Sequence, residues 1–356
     1  MAHYFVTGAS GFFGGVLKRR LLGDGHSVVN LDLEPDEDIH PQLTSIRGDL
    51  RDQALVKSVF AEHNFTAVHH CAAQLAHGRM DEHLLWTSNV DATRILCEAA
   101  RDAGVRPFMF ISSNCLWASN LGHPVNEEND LPAPIELYGR SKLEGEKVVQ
   151  SYSGAGGLDT VILRSPTIMD AGRLGLLAIL YEFIDDAKTV WVVGDGSNRY
   201  QFLYAQDLAE ACILSSAWAA QHGRSRLFHI GSDNVMPMRQ MYETVIDAAP
   251  APGGRRSKVR SLPEAPTLFA MKLAHKAKLS PLGPYHYKMI AESFVFDTTR
   301  IKRELGWRPS LTNDQMLLKA YRYYSEHRHE IHSRTEASAH RKPAAMGIIR
   351  LLKWLS

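Results

Sequence analysis

The chain has 356 residues, 45% of them hydrophobic and 22% charged, which is ordinary for a globular protein with a large core. Its formal net charge of +1 gives no bulk attraction to nucleic acid. No apolar run reaches the roughly 20 residues of a spanning helix. The four cysteines lie at no metal-ligand spacing, so we predict reduced thiols, a cytoplasmic location and no metal site. The first predicted strand begins near Met1, and we expect no signal peptide.

A glycine-rich turn near the N-terminus is the first feature with a chemical meaning. The run Tyr4 to Val6 predicts a buried strand, and apolar residues at helical spacing follow from Val16. Between them Gly8, Gly11 and Gly14 recur at three-residue steps. Such a turn lets backbone N–H groups and a helix N-terminus face a pyrophosphate. The pattern therefore predicts a dinucleotide site.

The second predicted strand, Ser27 to Asp32, ends in an acidic residue. Asp32 lies 24 residues after Gly8, near the position where a carboxylate accepts hydrogen bonds from the adenosine ribose. The alternative is a solvated turn aspartate. A carboxylate there repels a 2′-phosphate, so the sequence favours NAD over NADP as the cofactor.

Strands and helices alternate through the first half of the chain. Further strands are predicted over 44–47, 67–73 and 107–111, and helices over 53–63, capped by Asp52, and over 81–103. The alternation predicts an α/β fold, a Rossmann-type doubly wound parallel sheet, with ligands at the carboxyl ends of the strands. His69 and His70, at one strand end, are better explained as packed or solvated side chains than as ligands.

A serine and a Tyr-x-x-x-Lys pair supply the candidate catalytic groups. The strand over 107–111 runs into Ser112-Ser113-Asn114, and Tyr138 follows 25 residues after Ser113 at the start of a predicted helix. Lys142 lies four residues further on, so the two side chains share one helix face. A tyrosine with a pKa near 10 needs a neighbouring cation to act as a base at neutral pH. Tyr138 could then take a proton from an alcohol while Ser113 holds the alcohol oxygen.

Taken together, these motifs resemble the extended short-chain dehydrogenase/reductases, in the NAD-dependent epimerase/dehydratase branch that includes UDP-galactose 4-epimerase. The resemblance covers about residues 3 to 325. Besides the motifs above it rests on Gly48-Asp49-Leu50, Ala72-Ala73, Asn89-Val90, Arg164-Ser-Pro166, Gly194-Asp-Gly196, Asp207-Leu-Ala and Leu305-Gly-Trp307-x-Pro309. It implies a smaller C-terminal α/β substrate domain and a homodimer.

The resemblance also implies roles for individual residues. The cofactor-binding residues would be Gly8, Gly11, Phe12, Phe13, Gly14, Asp32, Asp49, Leu50, Ala72, Ala73, Asn89 and Lys142. Asp49 and Leu50 would contact adenine. Ser113, Tyr138 and Lys142 would be catalytic, with Lys142 binding the nicotinamide ribose and lowering the tyrosine pKa.

Two departures from the family pattern concern the substrate. Nucleotide-sugar dehydratases carry Asp-Glu after the catalytic hydroxyl residue, whereas this chain has Asn114 and Cys115, which disfavours a 4,6-dehydratase. The family often has an arginine seven residues before Asp207 that grips the substrate diphosphate. Here Tyr200 holds that position and Arg199 precedes it. Asn114 and Arg199 are the candidate substrate-binding residues, and Arg199 either reaches the diphosphate or faces solvent.

The predicted domain organisation has four parts. The NAD-binding domain covers 1–165, with segments returning near 200–232, and the substrate domain covers 166–198 and 233–328. A polar linker is expected over 329–343 and an amphipathic helix over 344–356. With Arg350, Lys353 and Trp354, that helix resembles a membrane-surface anchor. The alternative is docking on the protein's own core or on a partner subunit.

Two hypotheses for the function remain open on the sequence. The first is an NAD-dependent epimerase of a nucleotide-activated or lipid-linked sugar, in which a transient ketone is reduced on its opposite face. The second is a net NAD-dependent dehydrogenase or ketoreductase of an apolar alcohol, of the 3β-hydroxysteroid type. The apolar run from Ile168 to Ile184 and the missing arginine favour the second.

Overall fold

The computed structural model describes residues 1–75, 81–117, 120–154, 156–249, 251–277, 279, 283–333, 346–347 and 349–354. Its strands are β1 His3–Thr7, β2 Ser27–Asp32, β3 Leu43–Arg47, β4 Ala67–His70, β5 Pro107–Ser113, β6 Asp159–Ser165, β7 Thr167–Met169, β8 Val190–Val193, β9 Phe202–Tyr204, β10 Arg226–His229 and β11 Val259–Leu262. Its helices are α1 Phe12–Gly23, α2 Gln53–Glu62, α3 Glu82–Trp86, α4 Ala92–Asp102, α5 Leu137–Ser151, α6 Leu177–Asp185, α7 Ala205–His222, α8 Met238–Ala248, α9 Glu264–Lys276, α10 Pro284–Ala291, α11 Thr299–Leu305, α12 Asn313–Ser333 and α13 Ile349–Trp354.

Seven parallel strands form the central sheet, in the order β10-β6-β5-β4-β1-β2-β3. The order reverses between β1 and β4, since the chain runs outward from β1 in one direction and from β4 in the other. Buried apolar strand residues and helices on both faces make the core. The predicted Rossmann-type fold is confirmed, and the carboxyl ends of β1 and β4 meet where such sheets bind ligands.

A second apolar cluster lies beside the sheet and is built mostly from later segments. It joins α6, β8, α8 and α12, with Tyr181, Tyr321 and Tyr324 fully buried at its centre. Two small parallel pairs, β8 with β11 and β7 with β9, connect these segments. The division into cofactor and substrate domains stays a prediction.

Three local predictions differ from the structure in detail. The predicted helix over 81–103 contains a π-helical turn, Thr87–Asp91, between α3 and α4. The linker expected from 329 begins later, because α12 continues to Ser333, and the rest of it, 334–343, lies outside the described residues. The helix expected over 344–356 is seen as α13, while 344, 345, 348, 355 and 356 also lie outside them.

The described part of the C-terminal segment docks on the protein itself. Met346 is buried in the second cluster, and the Lys353 ammonium lies 2.5 Å from carboxylate oxygens of Glu182 and Asp186 at the end of α6. These contacts support docking on the protein's own core over the membrane anchor, although Trp354 is 78% exposed. No helix in the described ranges is both long and apolar enough to cross a bilayer.

Candidate active site

A cleft of about 600 Å³ opens at the carboxyl ends of the central strands. It brings together most of the predicted site residues, namely Gly8, Gly11, Phe12, Phe13, Gly14, Asp32, Asp49, Leu50, Ala72, Ala73, Asn114, Tyr138 and Lys142. Its opposite wall comes from the segment after β6 and from α10. The cleft therefore lies between the predicted cofactor half and the predicted substrate half.

The glycine turn after β1 is packed too closely for side chains. Gly8 has a φ of +72°, and a Cβ built on it would lie 2.8 Å from the Ala72 backbone. A Cβ on Gly14 would lie only 2.2 Å from the Gly8 carbonyl oxygen. Gly11 caps α1 without a side-chain hydrogen bond, and the first residues of α1, Phe12, Phe13 and Gly14, line the cleft. This cradle fits the pyrophosphate of NAD, since donors and helix dipole point into it.

Asp32 is held at the rim of the same cradle. Its carboxylate accepts backbone N–H bonds from Ser10 and Glu34, both 3.0 Å long. Partial burial raises the pKa of Asp32 above its ordinary value. It lines the cleft, where a ribose would meet a carboxylate.

A buried lysine, not predicted from the sequence, fixes the loop that follows Asp32. Lys18 of α1 is fully buried and forms ion pairs with Asp36 and, at 2.8 Å, with Asp38. Asn30 also donates to Asp36 over 2.9 Å. The acidic stretch 36–38 and a lysine on the apolar side of α1 were visible in the sequence, but their pairing depends on tertiary structure.

Asn89, predicted to bind cofactor, lies behind the cleft instead of lining it. Its side-chain oxygen accepts the Gln74 backbone N–H over 2.7 Å. Its side-chain nitrogen donates to the Gln74 carbonyl oxygen over 3.0 Å and to the Ser141 hydroxyl over 2.9 Å. It is fully buried by these contacts. In the structure Asn89 therefore ties the loop after β4 to α5, which is a positioning role.

Ser113, Tyr138 and Lys142 lie together where β5 ends and α5 begins. The Ser113 hydroxyl is close enough to Tyr138 to lower the pKa of the phenol. The Lys142 ammonium lies one helical turn further on, 4.0 Å from the centre of the Phe110 ring. Ser113 also accepts the backbone N–H of Cys115, 3.1 Å away. The spacing of Tyr138 and Lys142 thus places both groups in the cleft, as predicted.

Buried polar contacts hold α5 against the sheet. Glu146 and Arg164 of β6 form a buried ion pair with a closest distance of 2.6 Å. At the helix start, a Cβ on Gly139 would lie 2.3 Å from the Cys115 carbonyl oxygen, so only glycine permits this approach. These contacts fix the orientation of the helix that carries Tyr138 and Lys142.

Burial works against the base function of Tyr138. It raises the tyrosine pKa well above its ordinary value, while the Ser113 hydroxyl and the Arg173 charge lower it. Arg173 lines the cleft, and burial lowers its own pKa to about 10. From the sequence, a helpful charge was expected from Lys142. In the structure Arg173 is a cation whose charge lowers the pKa of Tyr138.

Lys142 gives a testable pH dependence of stability. Burial lowers its pKa to about 8. Between that pH and its ordinary pKa near 10.4, the unfolded chain binds a proton that the folded chain lacks, so stability rises with pH. We compare the wild type without cofactor with Lys142→Met. Between these two pH values, the unfolding free energy of the wild type should rise by up to about 3 kcal/mol relative to that of the variant. Urea unfolding at several pH values measures it.

The matched control is Lys147→Met, which removes an exposed ammonium from the same helix. Its unfolding free energy should follow the wild-type pH curve. If the curve of Lys142→Met also runs parallel to the wild type, Lys142 is not a buried, depressed lysine.

The predicted substrate contacts are arranged differently from expectation. Arg199 is exposed, donates to the Val235 carbonyl oxygen and does not line the cleft. Tyr200 is buried, and its hydroxyl accepts a 2.8 Å bond from the Asn114 amide and lies 3.2 Å from the Thr167 hydroxyl. Of the two alternatives for Arg199, the structure thus supports the solvent-facing one. Asn114 lines the cleft with its amide bonded to Tyr200.

The substrate wall of the cleft is largely apolar. Its apolar residues are Pro166, Ile168, Leu174, Leu176, Leu177, Phe202 and Met289. Arg173 and His286 are polar groups on the same side. The apolar run 168–184 was visible in the sequence, but Arg173 was not predicted as a site residue. Its position beside Gly172, between a strand and an apolar helix, was the available indication.

The fold and the cleft together define a Rossmann-fold enzyme, in which the glycine turn, Tyr138 and Lys142 line one cleft. The NAD dependent epimerase/dehydratase family model matches residues 4–231, and the chain belongs to this family. NAD is accordingly its cofactor, and the glycine cradle and Asp32 fit it.

Two of the following three relatives are named as enzymes, and they are of different kinds. The chain is 33% identical over 98% of its length to protein y4nG of Sinorhizobium fredii, of which 85% is covered. It is 27% identical to the UDP-glucose 4-epimerase of Mycolicibacterium smegmatis, covering 90% of this chain and 97% of that one. It is 24% identical to the 3-beta-hydroxysteroid dehydrogenase of Mycolicibacterium neoaurum, covering 92% of each.

Solved structures agree on the fold. The UDP-glucose-4-epimerase of Stenotrophomonas maltophila superposes with a TM-score of 0.76 at 20% identity, over 93% of this chain and 100% of that chain. The Thermotoga maritima UDP-glucose 4-epimerase superposes with a TM-score of 0.72 at 21% sequence identity, over 91% of this chain and 99% of that chain.

Proposed function

We propose that the protein oxidises a secondary alcohol carried on an apolar or amphiphilic body. Tyr138 takes the proton of the substrate hydroxyl, and Ser113 holds the same oxygen. Bound NAD supplies the acceptor for the hydride that leaves the carbinol carbon. Lys142 faces the nicotinamide ribose, and its ammonium together with Arg173 stabilises the charge that develops on Tyr138.

The observation that carries the substrate class is the arrangement around Tyr200. A tyrosine fills the position expected for a diphosphate-binding arginine, and its hydroxyl is already bonded to Asn114. The neighbouring Arg199 is bonded to the Val235 carbonyl oxygen away from the cleft. The wall facing Tyr138 is largely apolar, with Arg173 and His286 as its polar groups. Water exclusion at an apolar wall contributes more binding free energy for an apolar substrate than for a sugar diphosphate, whose charged groups would lose their hydration.

The second candidate is the NAD-dependent epimerase of a nucleotide-activated or lipid-linked sugar. Arg173 favours it, because a cation inside the cleft is suited to a diphosphate. Similarity to a Mycolicibacterium smegmatis enzyme named UDP-glucose 4-epimerase supports it as well. The chemistry at Tyr138 is shared, but the ketone would be reduced again before release.

A substrate panel separates the two candidates. Purified protein is incubated with NAD and either a 3β-hydroxysteroid or UDP-glucose, and NADH and products are measured. The proposal expects NADH to accumulate with the hydroxysteroid. Interconversion of UDP-glucose and UDP-galactose without NADH would establish the second candidate and overturn the first.

An arginine variant tests the same choice independently. Since Arg199 lies outside the cleft, Arg199→Ala should leave kcat and KM for the turned-over alcohol within about twofold. A diphosphate clamp would instead raise KM about tenfold or more, in line with a lost charge-assisted hydrogen bond. Steady-state kinetics with the active substrate of the panel decide between them.

A further inference from the structure

The helix α9 presents apolar side chains to solvent. None of its residues is buried. Phe269 and Leu273, one helical turn apart, are 71% and 60% exposed and point to the same side. The exposed Lys272 and Lys276 lie along one side of them, whereas Leu268 and Met271 on the opposite side of the helix are partly buried. An apolar strip bordered by lysines is typical of a helix lying in a membrane interface.

The sequence around α9 is strongly basic. Residues 251–283 contain seven lysines and arginines and one acidic residue, Glu264, although the whole chain carries a net charge of only +1. Arg255, Arg256 and Lys258 are exposed or partly exposed just before β11, which leads into α9. The partner that such a surface fits is therefore anionic as well as apolar.

The basic helix is coupled to the cleft through α10. The Tyr287 hydroxyl donates to the Met271 carbonyl oxygen over 3.1 Å, and the His275 and Tyr287 rings pack edge to face at 6.2 Å. His286 and Met289 of α10 line the cleft on its substrate side. A surface that binds α9 would thus lie beside the substrate side of the cleft.

We propose that α9 and the basic residues before it form a docking surface for anionic lipid bilayers. Phe269 and Leu273 enter the acyl boundary, and the lysines and arginines meet the headgroup charge. This docking does not depend on the substrate assigned above. It also differs from the anchor expected over 344–356, whose described part is ion-paired to α6.

Co-sedimentation of the full-length protein with vesicles tests the proposal. We expect binding to vesicles of phosphatidylglycerol and phosphatidylcholine and weak binding to phosphatidylcholine alone. Phe269→Ser with Leu273→Ser should lower partitioning about tenfold or more, since two large apolar groups no longer leave water. Lys272→Gln with Lys276→Gln should lower it about tenfold in low salt, with less effect in high salt.

Two variants serve as matched controls. Ile39→Ser removes an exposed apolar side chain far from this helix in sequence, and Trp354→Ser removes the exposed aromatic of the C-terminal segment. Both should bind like the wild type. The proposal is overturned if wild type ignores anionic vesicles, or if Trp354→Ser loses binding while the Phe269/Leu273 variant keeps it. The proposal is equally overturned if the Phe269/Leu273 variant converts a dimer to a monomer and leaves vesicle binding unchanged.

Discussion

Tyr138→Phe is expected to reduce turnover about 10³-fold or more while NAD affinity stays within a few-fold of wild type. Tyr138 lines the cleft, and its hydroxyl lies beside Ser113. Without that hydroxyl the substrate proton has no acceptor. The phenyl ring keeps the packing, so the cradle at Gly8 to Gly14 is undisturbed. Steady-state kinetics and a fluorescence titration with NADH measure the two effects.

The control for this substitution lies on the same helix. Tyr152 ends α5, and its hydroxyl donates to Glu98 over 2.9 Å. Tyr152→Phe makes the same chemical change away from the cleft and should retain wild-type turnover. Full activity of Tyr138→Phe would remove the proposed acid/base role altogether.

Gly14→Ala is expected to weaken NAD binding at least about 100-fold. The new Cβ would lie 2.2 Å from the Gly8 carbonyl oxygen and 2.7 Å from its carbon, and both are backbone atoms. The turn must therefore open, which displaces the N–H groups that would face the pyrophosphate. Calorimetric titration with NAD measures the loss, and circular dichroism checks that the variant is folded.

The neighbouring glycine provides the matched comparison. A Cβ on Gly15 would meet its nearest atom, the Ala9 carbonyl oxygen, at 3.4 Å, an ordinary contact distance. Alanine also favours a helix interior. Gly15→Ala should consequently bind NAD like the wild type and unfold at the same or a higher temperature. If Gly14→Ala binds equally well, close packing of the turn is not what shapes the cofactor site.

Local patterns predicted the cofactor half of the fold well. The strand Ser27–Asp32 is observed with the same bounds, and Asp52 caps α2 by accepting from Ala54 and Leu55. These features depend on neighbours in sequence, such as alternation of apolar residues, a capping carboxylate and a glycine turn. His70, predicted to be a packed or solvated side chain and not a ligand, is buried between the hydroxyls of Thr7 and Thr93.

Features that depend on distant contacts were not predictable in the same way. Which of Arg199 and Tyr200 enters the interior depends on the register of the segment before β9, and a shift of one residue exchanges the two sides. The Lys18 ion pairs and the bond between Asn89 and Ser141 join segments many residues apart. The π-helical turn that holds Asn89 left no clear periodic pattern in the sequence.

The contacts of Lys353 have a consequence for how the protein is made. The central sheet is complete once β10 has left the ribosome, because no later strand within the described residues joins it. The end of α6 receives its ion-pair partners only from Arg328 and Lys353 among the described residues, both synthesised long afterwards. During translation the cofactor half can fold early, as N-terminal units generally do, whereas the apolar wall of the cleft stays unfinished. A nascent chain would thus be able to hold its nucleotide before it can hold its substrate.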